Sequence, residues 1–290
     1  MKKKRRLFIV EIITAALFIV FMIPFFLIVI NSAKPTLEII VSPLALPENF
    51  GQLIYNVRAI WNNPAVRYPT SFLSSLIITV VSVGLLVIIS SMAGWVLVRA
   101  KSKRADFIFM FFVAAMIIPF QVVMFPLLSW FHRIELALGL LDTPFRLLQN
   151  YPGIIFAYLG FGTPLSMFLY HGFIKGIPEE LEEAAIIDGC SRAGVFFRIV
   201  LPILKAVTVT VIILNGIWIW NDYLLPLLVL GMGGNVQTLP LAVQNFVSSF
   251  VRRWDLILTS TLMAMLPIIV VFLFLQKHIM KGMVDGSLKG

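Results

Sequence analysis

Six long stretches of this 290-residue chain carry almost no charge, and their length decides what it can fold into. A bilayer's hydrocarbon core is about 30 Å thick and a helix rises about 1.5 Å per residue, so roughly 20 apolar residues span it. Residues 7–30, 71–98, 107–131, 154–173, 207–230 and 256–275 meet or approach that length. The chain is 60% hydrophobic and only 13% charged, so water is not its main solvent. Backbone polar groups find no water inside lipid, so such runs must be helical. The expected fold class is an all-α polytopic membrane protein with six transmembrane helices. Its expected organisation is a single transmembrane domain over 1–290, with a first helix and outer loop in 1–70 and a five-helix core in 71–290.

Lys2, Lys3, Lys4, Arg5 and Arg6 precede the first run, as in a signal peptide, but the run is too long and no small-residue cleavage pattern follows before Lys34 and Pro35. An uncleaved first helix is expected. Basic residues are retained on the cytoplasmic side. If both termini are cytoplasmic, the inner segments hold 16 of the 23 Lys and Arg, and the outer ones hold Lys34, Arg58, Arg67, Arg133, Arg146, Arg252 and Arg253. That orientation is therefore expected. The outer segment 31–70 carries Pro35, Pro43, Pro47, Pro64 and Pro69, which exclude a long regular helix, and is expected to lie on the membrane surface.

A net charge of +9 suggests nucleic acid in a soluble protein, but here the basic residues flank apolar spans, where anionic lipid headgroups attract them. No nucleic-acid partner is expected. Cys190 is the only cysteine, so no internal disulfide forms. His132, His171 and His278 lack metal-ligand spacing. Ser90 and Ser91, with Gly94, have no base beside them, and no GxxxxGK[ST] phosphate loop occurs. Nothing supports an enzyme.

Residues 177–189 hold five of the 14 acidic residues. Pro178 suits a helix start, the acidic residues after it favour the positive end, and Gly189 suits a left-handed stop. Leu181, Ala184, Ala185 and Asp188 share one small face flanked by Glu180, Glu182 and Glu183. A second helix over 190–199 would turn Val195, Phe196 and Ile199 toward apolar surroundings before Leu201-Pro202. By spacing alone, a solvated acidic loop fits as well as a docking helix.

Glu183-Ala184-Ala185, then Asp188-Gly189, then Phe197, Ile199 and Leu201-Pro202 closely resembles the EAA loop of ATP-binding cassette importer permeases. Trp220-Asn221-Asp222-Tyr223 with Pro226-Leu227, Thr238-Leu239-Pro240, Asn49-Phe50, and the ending from Lys281-Gly282 to Lys289-Gly290 are similar to the carbohydrate branch, in particular the smaller six-helix permease of maltose-type importers. Cys190 stands where Ala is usual.

The resemblance implies a type I importer permease with a cytoplasmic coupling helix in the loop at about 177–202. Glu183, Ala184, Ala185 and Gly189, with Glu182 and Asp188 in the same set, would meet the ATP-hydrolysing subunit. No cofactor is expected in this chain, because ATP and Mg would be bound by partners. The implied partners are a second homologous permease, two ATP-binding subunits and an extracytoplasmic sugar-binding protein that meets the outer loop 231–251. Sugar and membrane lipid complete the set, and the implied place is a bacterial inner or plasma membrane. A secondary ion-coupled transporter or a non-transporting assembly subunit are the alternatives. The first usually shows more embedded ionisable groups and repeat symmetry.

Polar groups within a span are costly unless they face protein or a water-filled path. Asn215, Trp218 and Asp222 lie at i, i+3 and i+7 of the fifth run and, with Asn221 and, in the third run, Gln121, are candidates for a translocation path. The commoner arrangement has Asn215 and Asp222 bond to neighbouring helices while Trp218 and Trp220 anchor near an interface. Pro119 would kink the third span beside Gln121.

Overall fold

The computed structural model describes residues 2–64, 66–247 and 253–287, and the regular structure among them is helical. Val251, Arg252 and the closing Lys289-Gly290 pair lie outside those residues. In chain order the helices are α1 (Lys2–Ser32), α2 (Thr36–Val41), α3 (Gly51–Trp61), α4 (Tyr68–Arg99), α5 (Lys103–Ala115), α6 (Phe120–Leu138) and α7 (Tyr151–Ile174). Then follow α8 (Glu180–Ile187), α9 (Arg192–Ile203), α10 (Lys205–Asn221), α11 (Leu224–Leu230), α12 (Leu239–Val247) and α13 (Trp254–Ser287).

Helices α1, α4 and α7, and Trp254–Phe274 within α13, are each long and apolar enough to cross a membrane. The other two candidate spans are bent pairs: α5 and α6 meet at 105°, and α9 and α10 at 76°. Counting each pair as one gives six spans. Residues 107–131 are thus not the continuous helix their apolarity suggests. Pro119 is extended (φ −63°, ψ 136°), lacks an N–H and disfavours helical geometry at Ile118, so the chain breaks there rather than kinking. Likewise 207–230 is interrupted after Asn221, where Asp222 is extended.

Residues 1–69 and 242–267 form one compact unit, and 70–241 with 268–290 form another. In the first unit the proline-rich segment holds two short helices, α2 and α3, rather than loop alone. A buried polar network ties it. Asn56 donates to the Ser32 carbonyl (3.0 Å) and to Thr259 (3.4 Å), and Thr36 donates to Asp255 (2.7 Å), which Arg253 also grips. Lys34, fully buried, donates to the Ser42 carbonyl at 2.9 Å.

In the second unit one apolar cluster gathers Ile78, Leu86, Phe131, Tyr158, Leu225 and Leu230, and another Tyr170, Ile177, Ala185, Val195, Phe196 and Val200. The buried Glu135 carboxylate accepts from the backbone N–H groups of Leu147 (2.8 Å) and Leu148 (2.7 Å), which fixes the turn before α7. Within α9, residues Phe196–Val200 widen into a π turn. Pro202 has no N–H to return to the Arg198 carbonyl, which explains the widening.

Candidate functional sites

Helix α8 stops where its sequence foretells, at Gly189, but starts later than expected, with Glu179 at the N-cap and Pro178 before it rather than in its first turn. Gly189 is left-handed (φ +85°), Cys190 N–H bonds to the Ala185 carbonyl at 2.9 Å and Gly189 N–H to that of Ile186 at 3.0 Å. This is a Schellman stop. Ser191 then caps α9 by accepting from Gly194 N–H at 3.1 Å.

The helix has two unlike faces. Ala185 and Glu182 are buried, whereas Leu181, Ala184, Ile187 and Asp188 are exposed, Ile187 by 84%. The face anticipated as one surface is therefore split: Ala185 packs with Ile177, Val195 and Phe196, and the other three members point outward with Ile187. Glu183 and Gly189 are also exposed.

Glu182 does not share that outward face. Its Oε2 accepts from Trp95 Nε1 at 2.9 Å, and its Oε1 from Arg99 Nε at 2.9 Å and Nη2 at 2.7 Å. Arg99 Nη2 also donates to the Ile177 carbonyl at 3.1 Å, and the Trp95 ring lies 5.4 Å from that of Phe196. Both charged side chains are largely buried, 16% and 9% exposed. Removing one partner of such a pair costs about 3–5 kcal/mol. Outside it, Lys101 donates to Glu179 at 2.7 Å and holds that exposed carboxyl below the usual carboxylate range.

Trp95 and Arg99 were not singled out in the sequence, though they sit at i, i+4 on the last turns of an apolar run. That position is the signal that would have found them.

The path candidates do not form one open face. Asn215 is buried and donates to Ser166 (3.0 Å) and the Val211 carbonyl (2.9 Å), joining α10 to α7. Asp222 accepts from the Tyr158 hydroxyl (3.1 Å) and, because α10 has ended, from Leu224 N–H (3.1 Å) instead of continuing the helical face. Trp218 stands edge-on to Tyr158 at 5.4 Å and is 38% exposed. It borders a cleft of about 480 Å³ with Phe120, Phe156, Gly160, Phe161 and Pro164. Asn221 is exposed and donates to the Ile217 carbonyl, and Gln121 is exposed on the first turn of α6.

Of the loop expected to meet a binding protein, Val236, Gln237, Thr238 and Leu239 are buried. Leu239 N–H donates to Ser75 Oγ at 2.8 Å, so only Met232, Gly233 and Asn235 are exposed before α12. Among the described residues no three His, Cys, Asp or Glu converge as a metal site. His171 instead stacks on Phe109 at 3.6 Å.

A family model described as binding-protein-dependent transport system inner membrane component matches residues 86–285. The chain is 39% identical over 266 residues to the probable starch degradation products transport system permease protein AmyC of Thermoanaerobacterium thermosulfurigenes, covering 92% of this chain and 91% of that one. It is 34% identical over 283 residues to the melibiose/raffinose/stachyose import permease protein MelC of Bacillus subtilis, covering 97% and 96%. Its fold is similar to a chain in the crystal structure of a bacterial ABC transporter involved in the import of the acidic polysaccharide alginate. There the TM-score is 0.74 at 18% identity, covering 96% of this chain and 98% of that chain, a likeness of fold.

Proposed function

Because this chain belongs to the family of binding-protein-dependent transport system inner membrane components, and is a permease subunit of an ATP-binding cassette importer rather than an enzyme, we propose that its cargo is a di- or oligosaccharide moved into the cytoplasm. The relatives named for starch degradation products and for melibiose, raffinose and stachyose support that choice. Such an importer works with another permease, ATP-binding subunits and a binding protein. The finer reading is one second permease, two ATP-binding subunits and one extracytoplasmic sugar-binding protein, with residues 1–290 acting as one transmembrane domain. Both termini lie in the cytoplasm of a bacterium, which puts α8 beside ATP and the 231–235 tip outside.

The observation that carries the mechanism is the two-faced α8. Leu181, Glu183, Ala184, Ile187, Asp188 and Gly189 form the contact surface for an ATP-binding subunit, and Ala185 closes α8 onto its own chain. ATP-driven closure of the partner dimer moves α8 and switches the bundle between two packings that open to opposite sides of the membrane. No cofactor is needed in this chain, since ATP and Mg act in the partner. The test is affinity purification of the tagged chain from its own membranes: co-elution of a second permease and ATP-binding subunits is expected, and a chain that elutes alone overturns the reading.

For the path, we keep the exposed members, Trp218, Asn221 and Gln121, as sugar-facing groups, and assign Asn215 and Asp222 to holding the helices that present them. One aromatic contact is worth about 0.5–1.5 kcal/mol, so Trp218→Ala with Asn221→Ala should change relative uptake of melibiose, raffinose and stachyose by about 2- to 10-fold. Unchanged rates for all three sugars would make this face purely structural.

A further inference from the structure

We infer that Glu182 is a positioning residue for coupling: clamped by Trp95 and Arg99, it ties α8 to α4, so that a push on the exposed face of α8 is delivered to an unbroken transmembrane helix. The inference rests on the coupling role proposed for α8.

Besides the chain connection to α7 and the apolar cluster α8 shares with Tyr170 and Ile174, two routes lead from α8 into other helices of its unit. One runs through Ala185, Val195 and Phe196 into α9, but α9 contains a π turn and meets α10 at 76°. Irregularities of that kind often mark hinges rather than struts. The other runs through the Glu182 carboxylate into α4, a single helix of 32 residues with no break. Both carboxylate oxygens are engaged, one by Trp95 and one by the Arg99 fork, and Arg99 also holds the Ile177 carbonyl on the turn that leads into α8. Charge-assisted bonds in a largely buried site resist rearrangement more than exposed pairs do. The neighbouring Lys101–Glu179 pair is exposed, 67% and 39%, and contributes little to the link.

The far end of α4 is fastened as well. Ser74 Oγ and the Tyr151 hydroxyl lie 2.9 Å apart, and Ser75 Oγ accepts from Leu239 N–H. From Ser75 to Arg99 a helix covers about 36 Å. The clamp therefore joins α8 to a strut whose other end holds the 236–239 segment.

The test uses the complete complex in proteoliposomes with its binding protein, measuring raffinose or maltooligosaccharide uptake and ATP hydrolysis in the same sample. Coupling free energies of 1–3 kcal/mol correspond to 5- to 150-fold, so Glu182→Ala should assemble with its partners yet deliver about 5-fold less sugar per ATP, or lower. Arg99→Ala should lower the ratio too, and the double variant should lose less than the sum of the two single changes, because the shared Glu182–Arg99 pair is removed only once. The exchanged pair, Glu182→Arg with Arg99→Glu, should recover part of the ratio, while Lys101→Ala should leave it at the wild-type value. A wild-type ratio in Glu182→Ala, or additive losses in the double variant, overturns the clamp. Should Glu182→Ala fail to assemble, Trp95→Phe removes only the indole donor: a lowered ratio supports the link and an unchanged one overturns it. A wild-type complex that imports no sugar would instead overturn the transport reading beneath it.

Discussion

Gly189→Val is expected to leave the chain inserted in the membrane while cutting ATP-driven sugar uptake about 5- to 30-fold, the factors that 1–2 kcal/mol represent. Gly189 is left-handed at φ +85°, and a Cβ there would meet nothing within 4 Å in this chain. The penalty is thus one of backbone rather than packing, about 1–2 kcal/mol for a non-glycine residue, and a β-branched side chain tolerates that region least. To escape the strain the turn must abandon the Cys190–Ala185 and Gly189–Ile186 bonds, which releases the end of α8 that leads to α9. Gly189→Asn, which accepts left-handed geometry more readily, should retain more uptake than Gly189→Val. Uptake and ATP hydrolysis measured together check this. Equal, near-normal uptake in both variants would mean that the left-handed stop does not matter for coupling.

The second large effect is expected at Ile187. It is the most exposed apolar side chain of α8, at 84%, with Ile186 next to it at 51% and Leu181 six residues earlier at 47%. In the chain alone, Ile187→Arg is a surface change worth within about 0.5 kcal/mol either way. Against a partner docked on the proposed α8 surface it buries an unpaired charge, and spoiling a hot spot costs about 2 kcal/mol or more, roughly 30-fold in affinity. The variant should reach the membrane at wild-type level and purify without its ATP-binding subunits. Leu181→Arg should act the same way. Retention of the subunits by both variants would move the docking surface elsewhere.

Much of this arrangement was legible in the sequence because bilayer thickness sets a length that apolar runs must meet. Helices α1, α4, α7 and α13 follow from that alone. The breaks at Pro119 and after Asn221 were not legible from length, since a proline inside an apolar run kinks one helix and ends another, and packing against neighbours decides between them. The end of α8 was readable from Gly189, which acts locally. The direction of Glu182 was not, because its partners Trp95 and Arg99 lie more than 80 residues away and a glutamate in a run with Glu179, Glu180 and Glu183 reads as solvated. Asn215 behaved similarly: helical spacing put it on a face with Trp218, but the hydroxyl of Ser166 drew it between helices. Burial of the 236–239 segment depended on Ser75, another distant partner.

The central claim is that this chain imports sugar with ATP hydrolysed by partners that grip α8. The most direct measurement is uptake by proteoliposomes holding the purified complex, with ATP inside, binding protein outside, and melibiose, raffinose, stachyose or starch hydrolysate offered in turn. At least one of these should accumulate only when ATP is present, with hydrolysis rising when that sugar and the binding protein are added together. Accumulation driven by an ion gradient without ATP, or ATP hydrolysis indifferent to every sugar offered with no uptake, would contradict it.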